Sequence, residues 1–288
     1  MLSLIGIVFL FACVFGTYIA TGGNMEIVAH AAPHELATIF GAAIAAMLIG
    51  NPGSVIKQTL KDLGKVVKGG KWKKQDFRDL LCLMFSLCKL IKTKGIIAAE
   101  AHIEKPEESA IFQQYPKIMH DHFSLDLICD TLRMMTMNFE NPIHVEDHIN
   151  RQLDKHHHET VKPGEVMQGM ADGLPALGIV AAVLGVIKTM ASINEPPAVL
   201  GGMIGSALVG TFLGVFLAYG LAAPIANKLK QIYEEDHQFY FIIRDVLVAH
   251  LQNSAPQVSV EIGRANIPTL LQPSFAEMEE ALNALAPV

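Results

Sequence analysis

The sequence predicts an all-α, polytopic membrane protein: four transmembrane helices, with a helical cytoplasmic domain between helices two and three. Three observations predict it. Four stretches, residues 1–25, 36–56, 173–187 and 196–227, contain no Asp, Glu, Lys or Arg. A bilayer core of about 30 Å takes roughly 20 apolar helical residues to cross, and in lipid only a helix satisfies its own backbone within one segment. A long charged segment separates the second stretch from the third. Composition agrees, with 51% hydrophobic residues, 17% charged and a mean hydropathy of +0.35, an apolar excess that soluble domains rarely carry.

The expected order is helix one at 1–23, helix two at 34–52, a cytoplasmic domain at 53–172, helix three at 173–193, helix four at 199–225 and a tail at 226–288. Helix one has no basic residue before its apolar run, and that run is longer than a signal-peptide core, so a retained helix is expected. The short link 24–35, ahead of the charge-free run of helix two, holds Glu26 and Glu35 but no Lys or Arg. Directly after helix two come Lys57, Lys61, Lys65, Lys68, Lys71, Lys73, Lys74 and Arg78. Lys228 and Lys230 follow helix four at once. Positive charge marks the cytoplasmic side, so both soluble segments and both termini are expected there. Beside a membrane span, such a run serves topology and anionic lipid headgroups. The net charge of −6 gives no general case for nucleic-acid binding.

Within the soluble segment, Phe77, Leu80, Leu81, Met84, Cys88 and Ile91 recur at helical steps. A second helical pattern runs over 111–138 through Tyr115, Ile118, His122, Leu125, Ile128, Leu132 and Met135. Pro106 and Pro116 start or interrupt helices, and Gly69-Gly70 and Asn141-Pro142 read as turns. The four cysteines show no CxxC spacing, and Cys82 and Cys88 read as reduced, packing thiols. His156, His157 and His158 are consecutive, so on a helix they point different ways. Without HExxH or a nearby cysteine pair, they read as a solvated helix end and not as a metal site. No GxxxxGK[ST], GxGxxG or GxSxG occurs, so neither an enzyme nor a cofactor is expected.

Helix three offers Gly178, Ala181, Ala182 and Gly185, and helix four offers Gly201, Gly202, Gly205, Gly210 and Gly214. Small residues at this spacing admit close helix packing, within the chain and against a further helix or partner subunit. Pro175 and Pro224 are expected at one level near the cytoplasmic ends, where each weakens its helix into a hinge or merely punctuates it. The charge-free run of helix three rises only about 22 Å, so it should continue through 189–193, with Lys188 snorkelling outward. Hydroxyls at Thr189, Ser206, Thr211 and Tyr219 could line an ion path. With Glu35 assigned to the outer link, no carboxylate lies mid-membrane, and any acid must come from a partner.

The segments GLPALGIVAAVLGVIKTM (173–190), LVGTFLGVFLAYGLAAPIA (208–226), HIEKPEESAIFQQYP (102–116) and PSFAEMEE (273–280) resemble the MotA family of flagellar motor stator subunits over nearly the whole chain. The resemblance implies a bacterial inner-membrane protein that forms an ion channel with MotB and couples ion flow to torque. It implies a ring, taken to be five subunits, around two MotB chains, each bringing the membrane aspartate. It implies conformational roles for Pro175 and Pro224, and an ion-path position for Thr211 with Ala182 nearby. KTKGIIAAE aligns Lys92 and Glu100 with the charges that meet the rotor protein FliG. Lysine stands where many members have arginine, which keeps the charge but loses the planar fork. The length of the soluble segment looks more like the proton-driven type. ExbB- and TolQ-like energisers of outer-membrane processes belong to the same superfamily, but generally have three spans where this chain has four.

Overall fold

The computed structural model describes residues 2–285, and every regular element among them is helical. The order is α1 (Leu2–Ala20), α2 (Met25–Gly50), α3 (Gly53–Asp62), α4 (Lys65–Lys68), α5 (Lys74–Lys94), α6 (Ile97–Glu104), α7 (Pro116–Met119), α8 (His122–Thr136), α9 (Pro142–Ala191), α10 (Pro197–Leu217), α11 (Ala223–Leu251), α12 (Pro256–Ala265) and α13 (Phe275–Asn283). Two short 3₁₀ turns precede α7, and a π turn, Ala218–Ala222, joins α10 to α11. Four helical stretches are long and apolar enough to cross a membrane: α1, α2, α9, and α10 continued through the π turn into α11.

The chain forms two compact units. One contains the residues up to Gly69 and Thr160–Ile232. Its core is small and apolar, with Ile39 and Ala43 of α2, Leu174 and Ala181 of α9, and Val209, Leu213 and Leu217 of α10. Lipid gives no hydrophobic drive for helices to associate, so contact area between backbones does the work. Glycine supplies it. A Cβ at Gly178 would come within 2.9 Å of Gly214 Cα, and one at Gly185 within 2.7 Å of the Ala207 Cβ. The seam between α9 and α10 therefore uses Gly178, Gly185 and Gly214 inside the chain, whereas Gly201 and Gly202 face open space. Aromatic rings close the other side, with Phe11 of α1 edge-on to Phe216 of α10 at 5.2 Å.

The second unit contains Gly70–Glu159 and the chain from Tyr233 onward. Helix α5 is its centre, buried almost throughout from Asp76 to Leu90. Trp72 stacks on Phe239 of α11 at 3.7 Å. Asp76 and Asp121 anchor this core by pairing with Lys117 and Lys71. Burial alone would raise the Asp121 carboxyl, but the Lys71 ammonium and the Ser124 N–H outweigh it and hold the carboxyl below its ordinary value.

Three expectations change. The pattern over 111–138 is not one helix. Pro116 opens α7, and Asp121 caps α8 by accepting from the Ser124 N–H at 2.8 Å. The histidine triplet is not at a helix end, since it lies inside the 50-residue α9, with His156 and His157 half-buried and His158 exposed. Helix two begins much earlier than composition suggests, because the Asn24 side chain accepts from the Glu26 N–H at 2.9 Å and starts α2 at Met25. Glu35 is thus inside a membrane-spanning helix, and the expectation of no intramembrane carboxylate is corrected.

Candidate functional site

The antiparallel seam fixes which membrane residues share a level. Gly178 faces Gly214 and Gly185 faces Ala207, so each step along α9 is matched by a step back along α10. Ala182 and Thr211 then fall at nearly the same level, both half-buried. Pro175 falls level with Leu217. Pro224 lies seven residues further on, about 10 Å along the helix. The two prolines are therefore not level. They bracket the π turn instead.

At that turn the Ala223 N–H bonds to the Ala218 carbonyl, five residues back. Pro224 lacks an N–H, and a wider turn accommodates the bond it cannot make. No sequence signal marks a π turn, so this feature went unforeseen. A Cβ at Gly220 would come within 2.8 Å of Leu10, so glycine lets α1 lie against the turn. A cavity of about 610 Å³, lined by Leu10, Tyr219, Gly220 and Pro224 among others, opens beside it. Of the expected hydroxyls, Thr189 is buried and spends its O–H on the Gly185 carbonyl at 2.9 Å, while Tyr219 is largely exposed.

In the second unit, Lys92 lies in the last turn of α5 and Glu100 lies on α6, both exposed. Between them Gly95, at φ 84°, takes the left-handed backbone that lets the chain reverse. Glu104, one turn beyond Glu100, is held by Arg133 of α8 at 2.7 Å. Lys92 and Glu100 present opposite charges on a surface anchored by the buried α5. His156 stacks on Phe123 at 3.7 Å, and His157 meets His237 of α11 at 4.5 Å. Burial and the neighbouring histidines push His237 down to about 4. No group of three metal-ligating side chains is assembled among the described residues.

Two family models match the chain, "Motility protein A N-terminal" over residues 4–95 and "MotA/TolQ/ExbB proton channel family" over residues 120–240. Motility protein A of Salmonella typhimurium is 38% identical over 285 residues, covering 99% of this chain and 96% of that protein. The chain belongs to the motility protein A family. The Escherichia coli motility protein A is equally similar, at 38% identity over 285 residues. Among solved structures, the Campylobacter jejuni MotAB chain superposes with a TM-score of 0.72 at 18% identity, covering 92% of this chain and 95% of that one. The chain from the Bacillus subtilis flagellar MotAB stator complex superposes with a TM-score of 0.65 at 23% identity, covering 90% and 92%. The resemblance read from four short segments thus extends along the whole chain, as a multi-pass membrane protein of the motility protein A fold.

Proposed function

We propose that this member of the motility protein A family conducts protons together with a one-span, MotB-type partner and turns their flow into torque on the flagellar rotor. The observation that carries this reading is the glycine seam, which places Ala182 and Thr211 at one level on two membrane helices that bring no acid of their own. The partner's membrane aspartate completes the path there. Five copies of the chain surround two partner chains in the inner membrane, with anionic lipid on the lysines that follow α2 and both termini in the cytoplasm. Pro175 and Pro224 are the flexible points between the ion path and the second unit. Lys92 and Glu100 meet charges of FliG.

The test is complementation. A strain lacking its own stator proteins should swim when this chain and its partner are expressed together, and not with either alone. If the inserted pair neither restores swimming nor carries protons, the reading fails. Energising an outer-membrane process without swimming would point to the ExbB- or TolQ-like role.

A further inference from the structure

Glu35 is ten residues into α2, and the chain holds it against the middle of α10. A Cβ at position 210 would come within 2.6 Å of Glu35 Oε2 and 3.3 Å of the Ala181 Cβ. The carboxylate therefore occupies the space a side chain would take at Gly210. Its level follows from the fold. Glu35 lies eleven residues from Asn24, which precedes α2, and Ala181 lies ten residues from Ala191, which ends α9. Both distances correspond to about 15 Å of helix, half of a bilayer core of about 30 Å. Glu35 is thus near mid-membrane and level with Thr211 and Ala182.

The surroundings are unusual for a carboxylate. Gly210, which it lies against, brings no side-chain donor, and neither does Ala181, whose Cβ borders the same space beside Gly210. The stretches 173–187 of α9 and 196–227 of α10 and α11 contain no charged residue. The titratable side chains nearest along α2 are His34 and His30, both exposed. An ionised carboxylate at the centre of a membrane is costly, and one kept there without a structural ion pair marks a path for ions or protons. Taking up a proton removes the charge and makes the group a hydrogen-bond donor. Giving it up restores an acceptor.

We propose that Glu35 is a proton-binding site of this chain, a second carboxyl on the membrane path in addition to the partner's. It takes a proton at Oε1 or Oε2 and later releases the same proton, with no other bond made or broken. The role in flow rests on the proton-conducting reading above, whereas proton binding at Glu35 can be tested without it.

The assembled complex would be treated with dicyclohexylcarbodiimide, which adds to protonated carboxyls in apolar surroundings, and Glu35 followed by peptide mass spectrometry. Labelling of Glu35 that declines as pH rises is expected, whether or not the preparation drives rotation. In complexes that assemble normally, Glu35→Gln should cut proton flux and swimming speed by about tenfold, and Glu35→Asp should retain most of both. Unlabelled Glu35, or Glu35→Gln that conducts and swims as the parent does, would overturn the proposal. Failure of Glu35→Gln to assemble with the partner would overturn it too, since the carboxylate would then be a packing group.

Discussion

Lys92 and Glu100 are exposed side chains on either side of the Gly95 turn, so reversing either charge costs the fold little. Exposed charges at an interface set specificity and encounter more than stability. Lys92→Glu and Glu100→Lys are each expected to slow swimming several-fold, with membrane insertion and partner pull-down unchanged, and a matching reversal on the rotor should restore part of the speed. If the double reversal swims normally with an unaltered rotor, these residues are not the contact. His237 behaves differently because it is buried. It faces His156, His157 and Asp154 of α9, with Phe241 and Tyr240 on its own helix. With its value held near 4 in the fold and about 6.5 when unfolded, the unfolded chain binds more protons between those limits. Stability is therefore full above about pH 6.5 and falls as pH drops toward 4, by on the order of 1–2 kcal/mol at pH 5. Thermal unfolding of the purified protein at pH 8 and pH 5 should show that loss, and His237→Phe should lose less than half as much. Equal pH dependence in the two proteins would place the sensitivity elsewhere.

At the scale of elements, helical periodicity and the absence of charge were enough to place α1, α5, α10 and the apolar end of α9, because burial in lipid or in a helical core demands those patterns wherever they occur, but they gave no sign that α9 runs unbroken from Pro142. Boundaries set by one side chain were harder to read. Asn24 starts α2 and carries Glu35 into the membrane, yet nothing in the apolar pattern after Leu36 signals a start that far upstream. The histidines were harder to read for a different reason, since His156 and His157 are half-buried against Phe123 and His237, neighbours distant in the chain. The prolines were legible as residues but not as a pair, because their levels follow from the glycine seam and the π turn. Inside α9, Pro175 denies the Ala171 carbonyl its regular helical partner, and Pro224 sustains the π turn from the other side. Alanine at either position restores a donor and is the better helix former by about 3 kcal/mol, so folding should not suffer. Pro175→Ala and Pro224→Ala are expected to slow or abolish rotation of tethered cells while the partner is still pulled down. Normal torque in either variant would show that its proline only punctuates a helix, and failed assembly would make its role structural.

For the whole molecule, the side chains available along the path bear on which ion it carries. A hard cation crossing the membrane has to exchange its hydration shell for several oxygen ligands. From Leu174 to Lys188, α9 offers no oxygen-bearing side chain, and from Pro197 to Leu217, α10 offers only Ser206 and Thr211. Between these helices the glycine seam leaves no room for a hydrated ion, and the backbone carbonyls are engaged along the helices. A proton needs no shell of ligands. It needs a carboxylate to rest on, the role proposed for Glu35 and for the partner's aspartate, and donors and acceptors that can pass it on. Swimming should therefore hold its speed when sodium in the medium is replaced by potassium at constant ionic strength, and should collapse when a protonophore dissipates the proton gradient. Speed that rises and saturates with sodium, and persists in the protonophore, would mean that oxygen ligands from neighbouring copies or from the partner complete a sodium site that this chain does not build alone.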